Sequence, residues 1–296
     1  MSTGLILFFG VLGGLLVLLI VVPPIRKRRT SSRGQPSFGY PHPQDVTVIF
    51  DSGSRGSHIQ PILQGSELAQ QYKGRDPVLR NAQIDLYPGE LVCIVGENGR
   101  GKSTLLKMLA LDETPKHGEI SIGNVSVWHE SARWRTDMRA RGISFIHPPQ
   151  DSFGLMPWSP ERNIMHWLIR LDGADYGTAK RRARAALTRV NRPADVLPPK
   201  RWSEPIDISR KNFSGGQLAR IAIAGAIALQ RPICLADEPL ATLDPDARIE
   251  VLRLFREMAD SGVSVAVVAH VEDQHLLEQY FDRILRVGPA PGQHTP

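Results

Sequence analysis

The nine residues Gly96-Glu97-Asn98-Gly99-Arg100-Gly101-Lys102-Ser103-Thr104 constrain this 296-residue chain more than any other stretch. Their G-x-x-x-x-G-K-[ST] spacing is that of a loop whose backbone N–H groups cradle nucleotide phosphates. An apolar run, Glu90 to Val95, precedes it and an amphipathic run, Leu105 to Leu111, follows. The glycines therefore fall at a strand-to-helix junction, where the free N–H groups of a helix N-terminus meet an anion. Glycine at 96, 99 and 101 permits backbone angles that strain other residues. Lys102 is expected to hold the β- and γ-phosphates and Ser103 a Mg²⁺ ion, which makes ATP or GTP the substrate to consider. A glycine-rich turn with no ligand would need neither the lysine nor the hydroxyl.

The amino-terminal end carries a different signal. Leu5 to Val22 contains no polar side chain, and about 18 residues at ~1.5 Å rise nearly span a bilayer's hydrocarbon as a helix. A cleaved secretory signal places its positive charges before the apolar run. Here no charge precedes Leu5, while Arg26, Lys27, Arg28, Arg29 and Arg33 follow it. The positive-inside rule then predicts an uncleaved, single-pass membrane anchor with the rest of the chain cytoplasmic. Gly10 and Gly14 have G-x-x-x-G spacing, which suits a helix–helix contact in the bilayer and equally suits glycine as filler.

The net charge of +6 suggests nucleic acid at first sight, and its distribution argues otherwise. Residues 1–44 hold five Lys/Arg and no Asp/Glu, which leaves 31 basic and 30 acidic residues for the remainder. The juxtamembrane cluster is explained by topology and anionic lipid, so a lipid bilayer is an expected partner and nucleic acid is not. Cys93 and Cys234 both lie in apolar runs and read as reduced core residues.

Beyond a stretch at 26–60 rich in Pro, Ser, Gly and Arg, read as a linker, short apolar runs alternate with longer amphipathic ones from Ile62 onward, the pattern of an α/β domain. Further motifs follow in order. Gly142 to Ile146 reads as a strand leading to His147-Pro148-Pro149-Gln150. Residues 158 to about 212 read mainly as helices, with basic residues facing solvent or a partner. Asn212-Phe213-Ser214-Gly215-Gly216-Gln217 opens another helix, with Ser214 as its cap. Ile233-Cys234-Leu235-Ala236-Asp237-Glu238 is an apolar strand ending in two acids, and Ser264 to Ala269 is a strand ending at His270. Arg133 to Arg141 carries four arginines and reads as a solvated helix face.

Taken together, these motifs make residues 62 to about 288 resemble the ATPase subunits of ATP-binding cassette (ABC) transporters. The resemblance implies an α/β P-loop NTPase domain with a mostly parallel core sheet, an antiparallel β edge and a helical subdomain. With the expected transmembrane helix in front, the layout is an anchor at 1–25, a linker at 26–60, an ATPase domain at 61–288 with its helical subdomain at about 151–214, and a tail at 289–296. The family's roles carry over residue by residue. Tyr72 would stack on adenine, and Gly96 to Thr104 would bind phosphate. Ser214, Gly215, Gly216 and Gln217 match the signature motif L-S-G-G-Q that binds the γ-phosphate. Asp237, with Ser103 and Gln150, would organise Mg²⁺. Glu238 would be the base, with His270 as the switch histidine and Gln150 beside the attacking water; Pro239 to Asp244 matches the D-loop. The sequence departs from the pattern in Phe213 for leucine, in the longer stretch around His147-Pro148-Pro149, and in Arg100 where a small residue is usual.

The resemblance further implies Mg²⁺-dependent ATP hydrolysis, a second ABC ATPase domain packed head to tail as a homodimer or heterodimer, and a separate membrane permease, because one apolar span cannot form a transport path. A non-transport ABC ATPase and an ATP-dependent membrane scaffold are the alternatives. The neutral domain argues against the first, and the Glu238 and His270 pair against the second.

Overall fold

The computed structural model describes residues 60–192, 196–207, 212–269 and 274–288, together with the backbone of three strands before residue 60. Residues 1–41 form a unit of their own. Within it, β1 (Phe8–Leu12) pairs antiparallel with β2 (Leu15–Leu19), Leu12 opposite Leu15. The expected transmembrane helix is not found: where the run Leu5 to Val22 is described it forms these two strands, and no helix among the described residues is long and apolar enough to cross a membrane. The sequence supplies the reason. Gly13-Gly14 has the two-residue hairpin spacing, glycine weakens helices, and Val11 and Val17 are β-branched.

The second unit, residues 42–296, begins with β3 (Val46–Asp51), which lies inside the stretch read as a linker. Then come β4 (Leu63–Gln70), β5 (Leu79–Leu86), β6 (Leu91–Val95), α1 (Lys102–Leu109), β7 (His117–Ile122) and β8 (Val125–Ser126). The middle of the chain supplies α2 (Ala132–Gly142), β9 (Ile143–Ile146), α3 (Pro160–Asp172), α4 (Tyr176–Val190) and α5 (Gly215–Leu229). It closes with β10 (Ile233–Ala236), α6 (Pro245–Asp260), β11 (Ser264–Val268), α7 (Gln274–Tyr280) and β12 (Arg283–Val287).

Six strands make the core sheet in the order β3-β12-β6-β11-β10-β9, parallel except for β3 against β12. A four-stranded antiparallel sheet, β5-β4-β7-β8, covers one flank. Continuous apolar runs suit strands buried on both faces, and alternation along each strand then divides its side chains between two cores. Leu91, Cys93 and Val95 of β6 join Val265 and Val267 of β11 against α5 and α6, while Val92 and Ile94 join Ala266 and Val268 against α1 and the antiparallel sheet. The expected α/β architecture is present in the described residues.

The helices start where the sequence supplies acceptors for their free N–H groups. Ser159, Asp175 and Asp244 each accept a cap bond for α3, α4 and α6, with proline opening α3 and α6. On α4 the residues Ala179, Ala183, Ala186, Leu187 and Val190 are buried, and Arg182, Arg184 and Arg189 between them meet acids, Arg184 with Glu161 at 3.1 Å. The arginine-rich α2 exposes Arg133, Arg139 and Arg141, and Arg139 bridges to Asp112 at 2.7 Å. Both cysteines are free and buried. Burial pushes the Cys93 thiol up, and that of Cys234 up to about 12.

Phe255 of α6 is fully buried between the sheet and the helical layer. Phe255→Ala should therefore cost about 3–5 kcal/mol, measured as a lowered denaturant midpoint. A midpoint equal to the parent's would show that the ring is not a core member.

Candidate active site

The parallel register brings the ends of four strands to one level: Ile94 lies opposite Val268, Val267 opposite Ala236, and Ala236 opposite Ile146. Open α/β sheets bind ligands beyond the carboxyl ends of their strands, and the candidate residues leave from that edge. Gly96 follows β6, Asp237 and Glu238 follow β10, and His147 begins the segment after β9. Two backbone bonds fasten these exits, Asp237 N–H to the Ile146 carbonyl and Ala269 N–H to the Ile94 carbonyl, each at 3.0 Å.

The phosphate loop turns into α1 at Gly101, whose φ of 90° lies in the left-handed region and whose added Cβ would sit 2.8 Å from the Val78 carbonyl. Glycine meets both demands at that position. Lys102 is 5% exposed. Its Nζ donates to the carbonyls of Gly96 (2.8 Å) and Glu97 (3.0 Å), which leaves one of its three donors for a ligand. Burial lowers its pKa, partly offset by the Glu238 and Asp237 carboxylates. Arg100 is held by Glu97 at 2.8 Å, so the loop carries its own charge partner for the unusual residue.

Asp237 is fully buried. Ser103 Oγ donates to its Oδ1 at 3.0 Å, and Oδ2 is buried with no hydrogen-bond partner. An orphaned carboxylate oxygen beside a hydroxyl fits a hard cation. Among the described residues no cluster of three or more His, Cys, Asp or Glu could hold a metal alone. A Mg²⁺ ion suits this sparse donor set, because it typically takes one or two protein ligands plus phosphate oxygens and water. Burial raises the Asp237 pKa, the Ser103 bond and nearby Lys107 and Lys102 opposing.

Glu238 follows with a left-handed φ of 49°, a conformation that costs a non-glycine residue about 1–2 kcal/mol. It lines a cavity of about 310 Å³ with Asn98, Arg248, Val268 and Ala269. His270 lies outside the described residues. Gln150 is exposed, in a tight turn at Pro149–Gly154 after β9. Ser152 and Phe153 have φ of 52° and 57° there, and the Phe153 ring is buried in the core. The two prolines thus lead into a short, pinned turn. Tyr72 reaches the phosphate-loop helix: its hydroxyl lies 3.3 Å from Thr104 Oγ1 and donates to Glu113 Oε2 at 3.0 Å. Glu113 belongs to no motif, and nothing in the sequence pointed to it.

The second half of the candidate set lies on a different cavity. Ser214 and Gln217 form a capping box for α5, Gln217 N–H on Ser214 Oγ (3.2 Å) and Ser214 N–H on Gln217 Oε1 (3.0 Å). A Cβ at Gly215 would collide with the Thr242 hydroxyl. Ser214, Gly215 and Gly216 line about 530 Å³ of space with Arg220, Asp244 and Glu250. This cavity shares no lining residue with the one beside Asn98 and Glu238.

A phosphate loop on a parallel sheet, a buried acid facing it and a glycine-rich helix cap at a separate place define an ATP-binding cassette. The chain belongs to the ABC transporter family, whose model matches residues 79–241. It is 35% identical to the lipoprotein-releasing system ATP-binding protein LolD of Maricaulis maris, over 75% of this chain and 90% of that one. It is 30% identical to the L-cystine transport system ATP-binding protein TcyN of Escherichia coli, over 70% and 80%. Among solved structures it resembles a dimeric bacterial ABC transporter cassette, with TM-score 0.66 and 27% identity, covering 76% of this chain and 94% of that one. The same cassette in a post-hydrolysis state bound to ADP and Pi matches with TM-score 0.65 and 25% identity over 76% and 94%. The protein is an ABC-type, ATP-hydrolysing transporter subunit.

The raised pKa of Asp237 has a sign that can be checked in metal- and nucleotide-free protein. An acid whose native pKa lies above its unfolded value subtracts stability as pH rises through that window. Asp237→Asn should then melt about 2–4 °C higher than the parent near neutral pH for each kcal/mol released. The difference should shrink in acid. A variant that melts lower at neutral pH would show the carboxylate to be stabilising.

Proposed function

We propose that this chain works as one of two cassettes that close on ATP, each nucleotide lying between the phosphate loop of one and the signature helix of the other. The observation that carries the reading is that Ser214, Gly215 and Gly216 line one cavity while Asn98 and Glu238 line another, with no lining residue in common. A γ-phosphate held by Lys102 needs donors on its far side, and the capped N-terminus of α5 offers free N–H groups to a second copy. The dimeric relative supports the arrangement.

In this scheme Gly96 to Thr104 bind the phosphates, Lys102 using its remaining donor, and Tyr72 stacks on adenine. Ser103 and Asp237, with Gln150, hold Mg²⁺, which neutralises phosphate charge when bound. Glu238 accepts the proton of the attacking water while Gln150 and His270 orient it. Ser214, Gly215, Gly216 and Gln217 complete the opposite site. Closing and opening would be transmitted to a separate permease. The relatives named for lipoprotein release and for L-cystine transport differ in cargo, so the cargo here would be set by that permease. The apolar run Leu5 to Val22 with its basic flank supports attachment of the cytoplasmic cassette to a bilayer.

Glu238→Gln keeps size and removes the base, so the full-length protein in detergent should retain ATP binding, lose hydrolysis and accumulate as an ATP-dependent dimer. Lys102→Ala should stay monomeric. Size-exclusion chromatography with ATP and Mg²⁺ reads both, and a Glu238→Gln protein that turns over at the parent rate would remove Glu238 from the mechanism. Deleting residues 1–22 should release the protein from membranes that the intact chain resists leaving under alkaline carbonate. Equal extraction of the two would overturn the attachment.

A further inference from the structure

Arg201 lies outside every motif, in the short turn Pro199–Arg201, yet its guanidinium is spent on the signature segment. It stands 4.1 Å above the centre of the buried Phe213 ring. Nη1 donates to Gln217 Oε1 at 3.1 Å, and Nη2 to the Asn212 carbonyl. Nε and Nη2 also reach the two oxygens of Glu204, at 3.0 and 3.4 Å. Asn212 closes the loop on itself, donating to Glu204 Oε1 and to the Pro205 carbonyl, each at 2.9 Å.

The consequence falls on Ser214. Gln217 Oε1 accepts from both Arg201 and the Ser214 N–H, and its amide nitrogen donates to the Val196 carbonyl at 2.7 Å. The amide therefore has one orientation, which fixes the capping box. Ser214 Oγ accepts the Gln217 N–H, and its own proton remains to donate outward. A planar guanidinium is suited to this combination, since it stacks on a ring and donates in several in-plane directions at once, which an ammonium cannot do. Phe213 is the other half of the device. A leucine would keep the position apolar but is smaller and offers no ring face.

We infer that Arg201, stacked on Phe213, is a positioning residue that presets the Ser214-Gly215-Gly216 turn for the γ-phosphate bound on a second cassette. The inference rests on the two-cassette reading above. Arg201 touches no nucleotide in this scheme, so losing it should spare ATP binding to the phosphate loop and weaken closure.

The test uses the full-length protein in detergent. Arg201→Ala and Arg201→Lys should bind a fluorescent ATP analogue at the parent affinity, keep KM within about twofold and lower kcat about tenfold or more. In the Glu238→Gln background, both should need about tenfold more protein to dimerise with ATP and Mg²⁺. Phe213→Leu should reproduce the loss, and Arg201→Ala with Phe213→Leu should be little worse than either, because they remove one device. Should Arg201→Ala fail to fold, Phe213→Leu, which keeps the position apolar, decides the matter by its kcat and dimerisation. Variants that dimerise and turn over like the parent, or lose only melting temperature, would overturn the inference. If the Glu238→Gln parent itself fails to dimerise, the two-cassette reading falls, and Arg201 is then judged on kcat against binding.

Discussion

The hydrogen bond from Ser103 to the buried Asp237 is the contact on which the arrangement depends. It joins the first turn of α1 to the end of β10, two elements 134 residues apart in sequence. A carboxylate in that position is expensive to bury, and one of its oxygens stays without a protein partner. The fold tolerates it because the surrounding strands are anchored independently: the Asp237 N–H is tied to β9, and the apolar residues before it sit in the sheet. The site is a place where local stability is given up to hold a charge ready for a cation.

Within one chain the candidate residues fall on two different cavities. Lys102, Ser103, Asp237 and Glu238 converge because parallel strands end at one edge. Ser214 and its glycines sit at the start of α5, whose body is packed in the helical layer against α3 and α4. On the proposed two-cassette reading, that division would make association with another cassette a means of control.

Contiguous motifs are legible in the sequence, and features that depend on tertiary context are not. The phosphate loop and the acid-ended strand were legible because spacing and apolar flanks survive in one dimension. The apolar run at Leu5 to Val22 was read as a helix from length and hydropathy, measures that do not weigh paired glycines at 13 and 14. The strand at Val46–Asp51 was submerged in a linker because its partner, β12, lies more than 200 residues away. Gln150 is singled out in the sequence by its place after a strand, whereas the pinned turn that carries it follows from Phe153 being drawn into the core. Arg201 and Glu113 had no signal at all: each acts through neighbours that only folding supplies.

The sequence by itself determined the chemistry. A phosphate-binding loop, two acids at a strand end and a helix cap of Ser-Gly-Gly require particular residue types at short, fixed spacing, and short spacing is what a sequence records. Tertiary structure decided which of these face one another. Asp237 meets Ser103, Tyr72 meets Thr104 and Glu113, and Arg201 braces Gln217, while Ser214 lines a different cavity from Glu238. Those juxtapositions follow from strand order and register, which are set by how distant apolar faces pair, and no local pattern carries that information.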